Sequence, residues 1–246
     1  MKKILLFLLV FALMLSVVSC YVNYDNDDNS EENSPPPAVE APKFDDKTLV
    51  SLGDSLTYTT AHGYVEYYPQ TIEKLLGFNT SVNLGIPGST VANCVNRDPM
   101  CNRYLEIPSD ADVITFMGGL NDIYASVPLG TAEDTDTTTF YGALNTIAKG
   151  LTENYPDAYI VFCTVLPGLE YQDASDLNTA NYSIIDMNTA IKTVASNYHI
   201  DVCDLYTLCG EYKASNYDVD GDHPTQEFLT NSIAYHLADF IKKNYK

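Results

Sequence analysis

The chain contains no tryptophan, few bases and no Cys-x-x-Cys pair. Each shortage excludes something. Its 13 Lys and Arg face 33 Asp and Glu, a formal net charge of −20. Nucleic-acid binding needs a basic surface that displaces counterions, so no nucleic-acid partner is expected. Without paired Cys-x-x-Cys motifs a structural zinc site has no ligand set. No internal repeat is present, which argues against a solenoid or propeller. Beyond the first twenty residues no apolar run is long enough to line a fatty-acyl groove. With tryptophan missing, the 19 tyrosines are the main flat faces available, for packing first and for sugars second. The 246 residues allow one domain of ordinary to large size, or two small ones.

What is present starts with a leader. Lys2 and Lys3 precede an apolar run from Ile4 to Val18, the pattern of a secretory signal. The run stops at Val17-Val18-Ser19-Cys20, which resembles the lipobox of bacterial lipoproteins. That resemblance implies cleavage before Cys20, lipidation of Cys20 and an extracytoplasmic protein lipid-anchored to the cell envelope or surface. Several acyl chains on one residue give a lasting anchor. Residues 21–43 read as an acidic linker. They hold Asp25, Asp27, Asp28, Glu31, Glu32 and Glu40 against Lys43, and carry Pro35-Pro36-Pro37. Like charge and proline keep such a segment extended. The domain organisation is therefore signal 1–20, linker 21–43 and one folded domain 44–246. Five cysteines remain after Cys20, an odd number for an exported chain. Cys94 with Cys101, and Cys203 with Cys209, are spaced to close small rings. Cys163 falls in an apolar run and reads as a buried thiol.

From Phe44 onward short apolar runs alternate with helical patterns. Strands are expected at Thr48–Leu52, Ser81–Leu84, Val113–Met117, Tyr159–Thr164 and Ile200–Leu205. Helices are expected near Val65–Leu76, Thr138–Asn154, Tyr182–Tyr198 and Gln226–Asn244. This alternation predicts an α/β fold, a three-layer sandwich with a five-stranded parallel sheet. In such sheets ligands bind beyond the carboxyl ends of the strands. The residues there are Gly53-Asp54-Ser55, Gly85 to Ser89, Gly118 to Asp122, Thr164 to Gly168, and finally Asp220 to Pro224.

These ends offer each part that acyl transfer by a serine requires. Ser55 is the candidate nucleophile, at a point where a helix is expected to begin. His223 is the candidate base, and Asp220 can reach its Nδ1. Pro224 then suits the first position of the last helix. Gly88 lets a backbone N–H approach substrate, and Asn121 donates without adding charge. His62, His199 and His236 have no such company and read as structural or solvated. Asp222, next to the base, is expected to add a second negative charge to the imidazole's surroundings. Asp218-Val219-Asp220-Gly221-Asp222 mimics the start of a calcium loop, but His223 and Leu229 stand where an EF-hand needs glycine and a bidentate acid. Ser55 sits in Gly-x-Ser-x-Thr, which departs from the Gly-x-Ser-x-Gly of α/β-hydrolases.

Four blocks together resemble the SGNH hydrolases, also called GDSL esterases and lipases. They are Gly53-Asp54-Ser55-Leu56-Thr57, Asn83-Leu84-Gly85-Ile86-Pro87-Gly88-Ser89-Thr90, Gly119-Leu120-Asn121-Asp122 and Asp220-Gly221-Asp222-His223-Pro224-Thr225. The resemblance spans about 48–244. It implies a flavodoxin-like sheet, Ser55, Asp220 and His223 as catalytic residues, and an oxyanion hole from Ser55, Gly88 and Asn121. It implies no cofactor and no metal. Two positions depart from the family pattern: Phe228 replaces a frequent glycine, and Asp222 replaces a usually apolar residue. The expected substrate is a carboxylic ester. An acidic surface tether and the tyrosines Tyr58, Tyr64, Tyr67, Tyr68 and Tyr124 favour short acyl groups on carbohydrate. The alternatives are an acyl-lipid esterase or lysophospholipase, and a non-catalytic glycan-binding lipoprotein.

Overall fold

The computed structural model describes residues 43–58, 60, 62–94 and 98–246. The expected signal, Cys20 and nearly all of the linker lie outside them. Val50, Leu52, Ile114, Phe116, Ile160 and Phe162 alternate along their strands with Leu49, Val113, Met117, Val161 and Cys163, and both sets are buried. A strand apolar on both faces must be covered on both, which is the condition of a parallel sheet between two helical layers.

In chain order the elements are β1 (Thr48–Gly53), α1 (Tyr68–Leu76), β2 (Thr80–Gly85), α2 (Met100–Arg103), β3 (Val113–Met117), α3 (Leu120–Tyr124), α4 (Phe140–Asn154), β4 (Tyr159–Cys163), α5 (Ile184–Asn197), β5 (Asp201–Cys203), α6 (Leu205–Cys209), α7 (Gln226–Phe228), a π-helical turn (Leu229–Ala234) and α8 (Tyr235–Asn244). Short 3₁₀ turns lie between some of them. The sheet is five-stranded and wholly parallel in the order β2-β1-β3-β4-β5. One face packs on α4 and α5, through Phe140, Leu144, Ile147, Ile184, Ile191 and Val194. The other packs on α1, the π turn and α8, through Tyr68, Ile72, Ile233, Leu237 and Ile241.

Local chemistry sets the helix ends. Ser183 and Asp186 form a capping box that starts α5. The Thr139 hydroxyl accepts the Gly142 N–H at the start of α4. Pro69 sits in the first turn of α1, and Gly77 closes it at φ 77°. Three expectations change. The last helix is not uniform, because Leu229–Ala234 is π-helical. It begins after an N-cap Thr225, and Pro224 lies before the cap, bridged to Tyr217. The small cysteine rings do not form: Cys94, Cys101, Cys163, Cys203 and Cys209 are all free thiols. Cys163 is fully buried, with its pKa pushed well up by that burial, and is paired in register with Cys203. Among the described residues no helix is long and apolar enough to cross a membrane.

The order places β1 beside β3 at the centre. The chain leaves β1 toward α1 on one face and leaves β3 toward α4 on the other. That divergence opens a crevice at their carboxyl ends.

Candidate active site

Ser55 lies two residues beyond β1, in a turn rather than a helix. The N–H groups of Thr57 and Tyr58 both donate to the Asp54 carbonyl, and Leu56 N–H donates to Asp54 Oδ1 at 2.9 Å. An Asx turn of this kind competes with helix for the same donors. It delays α1 to Tyr68 and leaves Ser55 at the sheet's edge, 8% exposed. Gly53 is required here. A Cβ would come 2.0 Å from Thr57 Oγ1 and 2.7 Å from the Met117 carbonyl.

His223 and Asp220 come from a tight loop. Asp218 N–H donates to the His223 carbonyl, Gly221 N–H donates to the Asp218 carbonyl, and Gly221 adopts φ 75°. Asp220 Oδ1 accepts the N–H groups of Asp222 and His223, each at 3.1 Å. Its Oδ2 meets His223 Nδ1 at 2.7 Å. His223 Nε2 meets Ser55 Oγ at 2.8 Å. The three residues thus form one hydrogen-bonded line across 168 positions of sequence. Burial works against the charge on Asp220. The two backbone donors and the imidazole outweigh it and hold its carboxyl below the usual range.

Gly88 and Asn121 lie beyond the ends of β2 and β3, the two strands that pair with β1. Gly88 turns at φ 73°, a conformation that favours glycine. Asn121 begins α3 just after β3, and its amide donates to the Ser89 carbonyl at 3.0 Å. Its second hydrogen makes only a long contact, 3.4 Å, with Asp54 Oδ2.

Behind these groups stand three residues that the sequence reading passed over. Arg103 is buried and donates to the carbonyls of Gly53, Leu84 and Asp98 and to Ser89 Oγ. It ties the ends of β1 and β2 to the Gly88 turn. Asp122 is fully buried and accepts the N–H groups of Val91 and Ala92 at 2.8 and 2.9 Å. Burial pushes its pKa up to about 7. Gln226 stitches the Val65–Glu66 loop to the start of α7, through bonds to the backbone of both residues. A buried arginine in a chain with so few bases was the one available sign of such roles.

His62 corrects the sequence reading. Its ring stacks on His223 with centroids 4.0 Å apart and planes at 21°. Its Nδ1 lies 3.2 Å from Asp218 Oδ2, and its Nε2 lies 3.3 Å from Asp220 Oδ2. His62, Asp220 and His223 are also the one trio of metal-binding side chains found among the described residues. The 2.7 Å between His223 Nδ1 and Asp220 Oδ2 is a hydrogen-bond distance. Ligands on a tetrahedral site with bonds near 2.0 Å stand about 3.3 Å apart, so the pair does not fit a metal.

Asp222 also departs from expectation. Its Oδ1 accepts the Tyr124 hydroxyl and the Leu169 N–H, so its carboxylate braces the 168–170 loop. Of the five tyrosines expected around the site, Tyr68 belongs to the core, fully buried against Thr57 Oγ1. Tyr58, Tyr64 and Tyr67 form a cluster on the loop between β1 and α1, with Tyr58–Tyr67 centroids at 4.9 Å. His199 is exposed and His236 half-buried, away from this group.

A small, mostly apolar pocket is lined by Asp54 and Leu56, the chain neighbours of Ser55, with Met117, Leu120, Val165 and Leu166.

Residues 51–228 match the model of the GDSL-like Lipase/Acylhydrolase family. Among solved structures, a protein from Lactobacillus plantarum is 31% identical with a TM-score of 0.74, over 83% of this chain and 100% of that one. A GDSL-like lipase from Bacteroides thetaiotaomicron is 22% identical with a TM-score of 0.58, over 84% and 93% of the two chains. This second likeness is one of fold. No curated protein matches the chain.

Proposed function

The chain belongs to the GDSL-like lipase/acylhydrolase family and is an ester hydrolase, and from that premise we propose that it works as a serine esterase on short acyl esters of carbohydrate. The observation that carries the mechanism is the unbroken line from Ser55 Oγ through His223 to Asp220.

In this reading Ser55 Oγ attacks the ester carbonyl carbon while His223 Nε2 takes its proton. The carbonyl electrons move to oxygen, and the N–H groups of Ser55 and Gly88 and the Asn121 amide receive the oxyanion. On collapse the C–O bond to the alcohol breaks, and His223 returns the proton to the leaving oxygen. Water then repeats the sequence on the acyl-enzyme and frees the acid and Ser55. Asp220 holds the ring with Nε2 toward the serine and stabilises the imidazolium. No step needs a metal.

The small apolar pocket between the two neighbours of Ser55, Met117 and Leu166 supports a short acyl group rather than a long chain. The Tyr58, Tyr64 and Tyr67 cluster supports a sugar on the alcohol side. A second reading, an acyl-lipid esterase, draws on Val65, Leu169 and Val219, apolar side chains exposed on the loops that carry the site. The leader sequence supports an extracytoplasmic place, with lipid on Cys20 as the anchor. Loss of membrane association and of lipid labelling in Cys20→Ala is the expected result there.

The deciding experiment is turnover of p-nitrophenyl esters from acetate to palmitate, beside acetylated xylan. Acetate should give the highest kcat/KM, acetylated xylan should release acetate, and Ser55→Ala should remove most of the activity. A maximum at octanoate or longer would reject the short-acyl reading in favour of the lipid one. Activity that survives Ser55→Ala would reject the mechanism.

A further inference from the structure

His62 and His223 are 161 positions apart in sequence yet share one carboxylate oxygen. Asp220 Oδ2 lies 2.7 Å from His223 Nδ1 and 3.3 Å from His62 Nε2. The other nitrogen of His62 lies 3.2 Å from Asp218 Oδ2. The side chain of His62 is only 14% exposed. Its segment is fastened in place: Tyr64 donates its hydroxyl to the Pro224 carbonyl, and Gln226 bonds the backbone of Val65 and Glu66. The loop after β1 and the loop before α7 are therefore one assembly, with His62 as the ring between them.

We propose that His62 is a positioning residue for the hydrolysis, which spans Asp218 and Asp220, fixes Asp220 Oδ2 against the base and limits the rotation of His223 by stacking on it. The inference rests on the serine-esterase reading.

Three physical consequences follow from the geometry. First, the stacked ring covers one face of the His223 imidazole, so the base can neither turn away from Ser55 nor take water on that side. Second, the Nε2 edge of His62, 3.3 Å from Asp220 Oδ2, keeps that oxygen from swinging away from His223 Nδ1. Third, the hydrogen bond between His62 Nδ1 and Asp218 Oδ2 anchors the ring in that position. The titratable groups facing His62 are Asp218, Asp220 and His223 from the opposite loop and Tyr64, at 5.9 Å between rings, from its own. Tyr212 also acts on Asp220.

The test compares wild type with His62→Phe, which keeps a ring for stacking and removes the polar contacts to Asp218 and Asp220, using p-nitrophenyl acetate across pH. The kcat at the plateau should fall roughly tenfold with KM within about twofold, an effect on chemistry more than on binding. The acid limb of kcat/KM should move to higher pH, because a hydrocarbon ring replaces a polar edge beside the orienting carboxylate. Asp218→Asn should lower kcat several-fold in the wild type and add little in the His62→Phe background, because it acts through His62. A melting temperature that falls with kcat and the acid limb unchanged would reduce His62 to a structural residue and overturn the proposal, as would additive losses in the double variant. If His62→Phe does not fold, the wild type decides by ¹⁵N-histidine NMR: the ring signals of His62 and His223 should respond to one another's titration, and independent curves reject the coupling. A wild type that turns over no ester would instead reject the esterase reading itself.

Discussion

Tyr124 donates its hydroxyl to the same Asp222 oxygen that accepts the Leu169 N–H at 2.7 Å. This carboxylate stands one residue from the base, yet its partners belong to α3 and to the loop after β4. Gly168 makes room for them: a Cβ there would lie 2.6 Å from Tyr124 Oη and 2.7 Å from Asp222 Oδ1. The sequence alone suggested that Asp222 would strengthen the negative field on His223. The geometry gives it a mechanical role instead, as a strap between the base's loop and the far wall of the crevice. Burial and the bond to Asp222 both hold the Tyr124 hydroxyl in its neutral, donating form.

Asp222→Asn is accordingly expected to leave the acid limb of kcat/KM within about 0.3 pH units, a small effect for a committed charge beside solvent. Asp222→Ala strands Leu169 N–H and Tyr124 Oη and should cost about 1–2 kcal/mol in denaturant unfolding. A large shift of the limb in Asp222→Asn would return the carboxylate to the electrostatics of the base.

Asp220→Asn should behave differently. It loses the group that fixes the ring's tautomer, and the plateau kcat should drop by roughly 10³ to 10⁴. The sign for stability follows from its lowered pKa. A carboxyl held below its unfolded value contributes stability above that unfolded value, and the contribution is lost as pH falls through the folded one. The melting-temperature gap between wild type and Asp220→Asn should thus be full at pH 7, begin to narrow near the unfolded carboxyl value of about pH 4, and close only as pH falls through the lower folded value. A gap unchanged at low pH would show that its bonds do not depend on ionisation.

Asn121→Ala removes one donor from the space beside Ser55. The expected loss is about 100-fold or more in kcat with little change in KM. Unchanged kcat would take Asn121 out of the oxyanion hole and leave it as the clasp on Ser89 that its 3.0 Å bond also makes it.

Arg103→Met should unfold the site from behind. It removes the charged donor from the carbonyls of Gly53, Leu84 and Asp98 and from Ser89 Oγ, although Gly53 keeps the Ile86 N–H and Ser89 keeps the Asp98 carbonyl. A hydrogen bond to a charged group contributes about 1.5–3 kcal/mol, so a total loss of about 3 kcal/mol or more is expected in urea unfolding. A loss under about 1 kcal/mol would mean that water replaces the guanidinium, which its burial argues against.

EDTA should leave turnover unchanged, because the mechanism draws on no metal and the 2.7 Å between Asp220 Oδ2 and His223 Nδ1 is a hydrogen-bond distance. Activity lost to chelator and restored by a divalent ion would overturn that account.

The sequence by itself determined the sheet and the chemistry. Strand runs such as Val113–Met117 are apolar but for Thr115 and buried at every position, and only a doubly covered parallel strand accepts that pattern. Ser55, Asp220 and His223 were legible because they fall in short blocks, the first just past β1 and the others in the loop before the last helix, where backbone geometry follows from local residues. Tertiary structure decided the rest. The Asx turn at Asp54 won over helix, since its competing bonds are local but the room for the following loop is not. Tyr68 became core and the cysteines stayed apart because packing, not spacing, sets which side chains meet. His62, Arg103 and Gln226 carry no motif, and their partners lie 156 to 161, up to 50 and about 160 positions away. Contacts across such separations leave no periodicity in the chain, so only the folded geometry could assign His62 to the base and Asp222 to the strap.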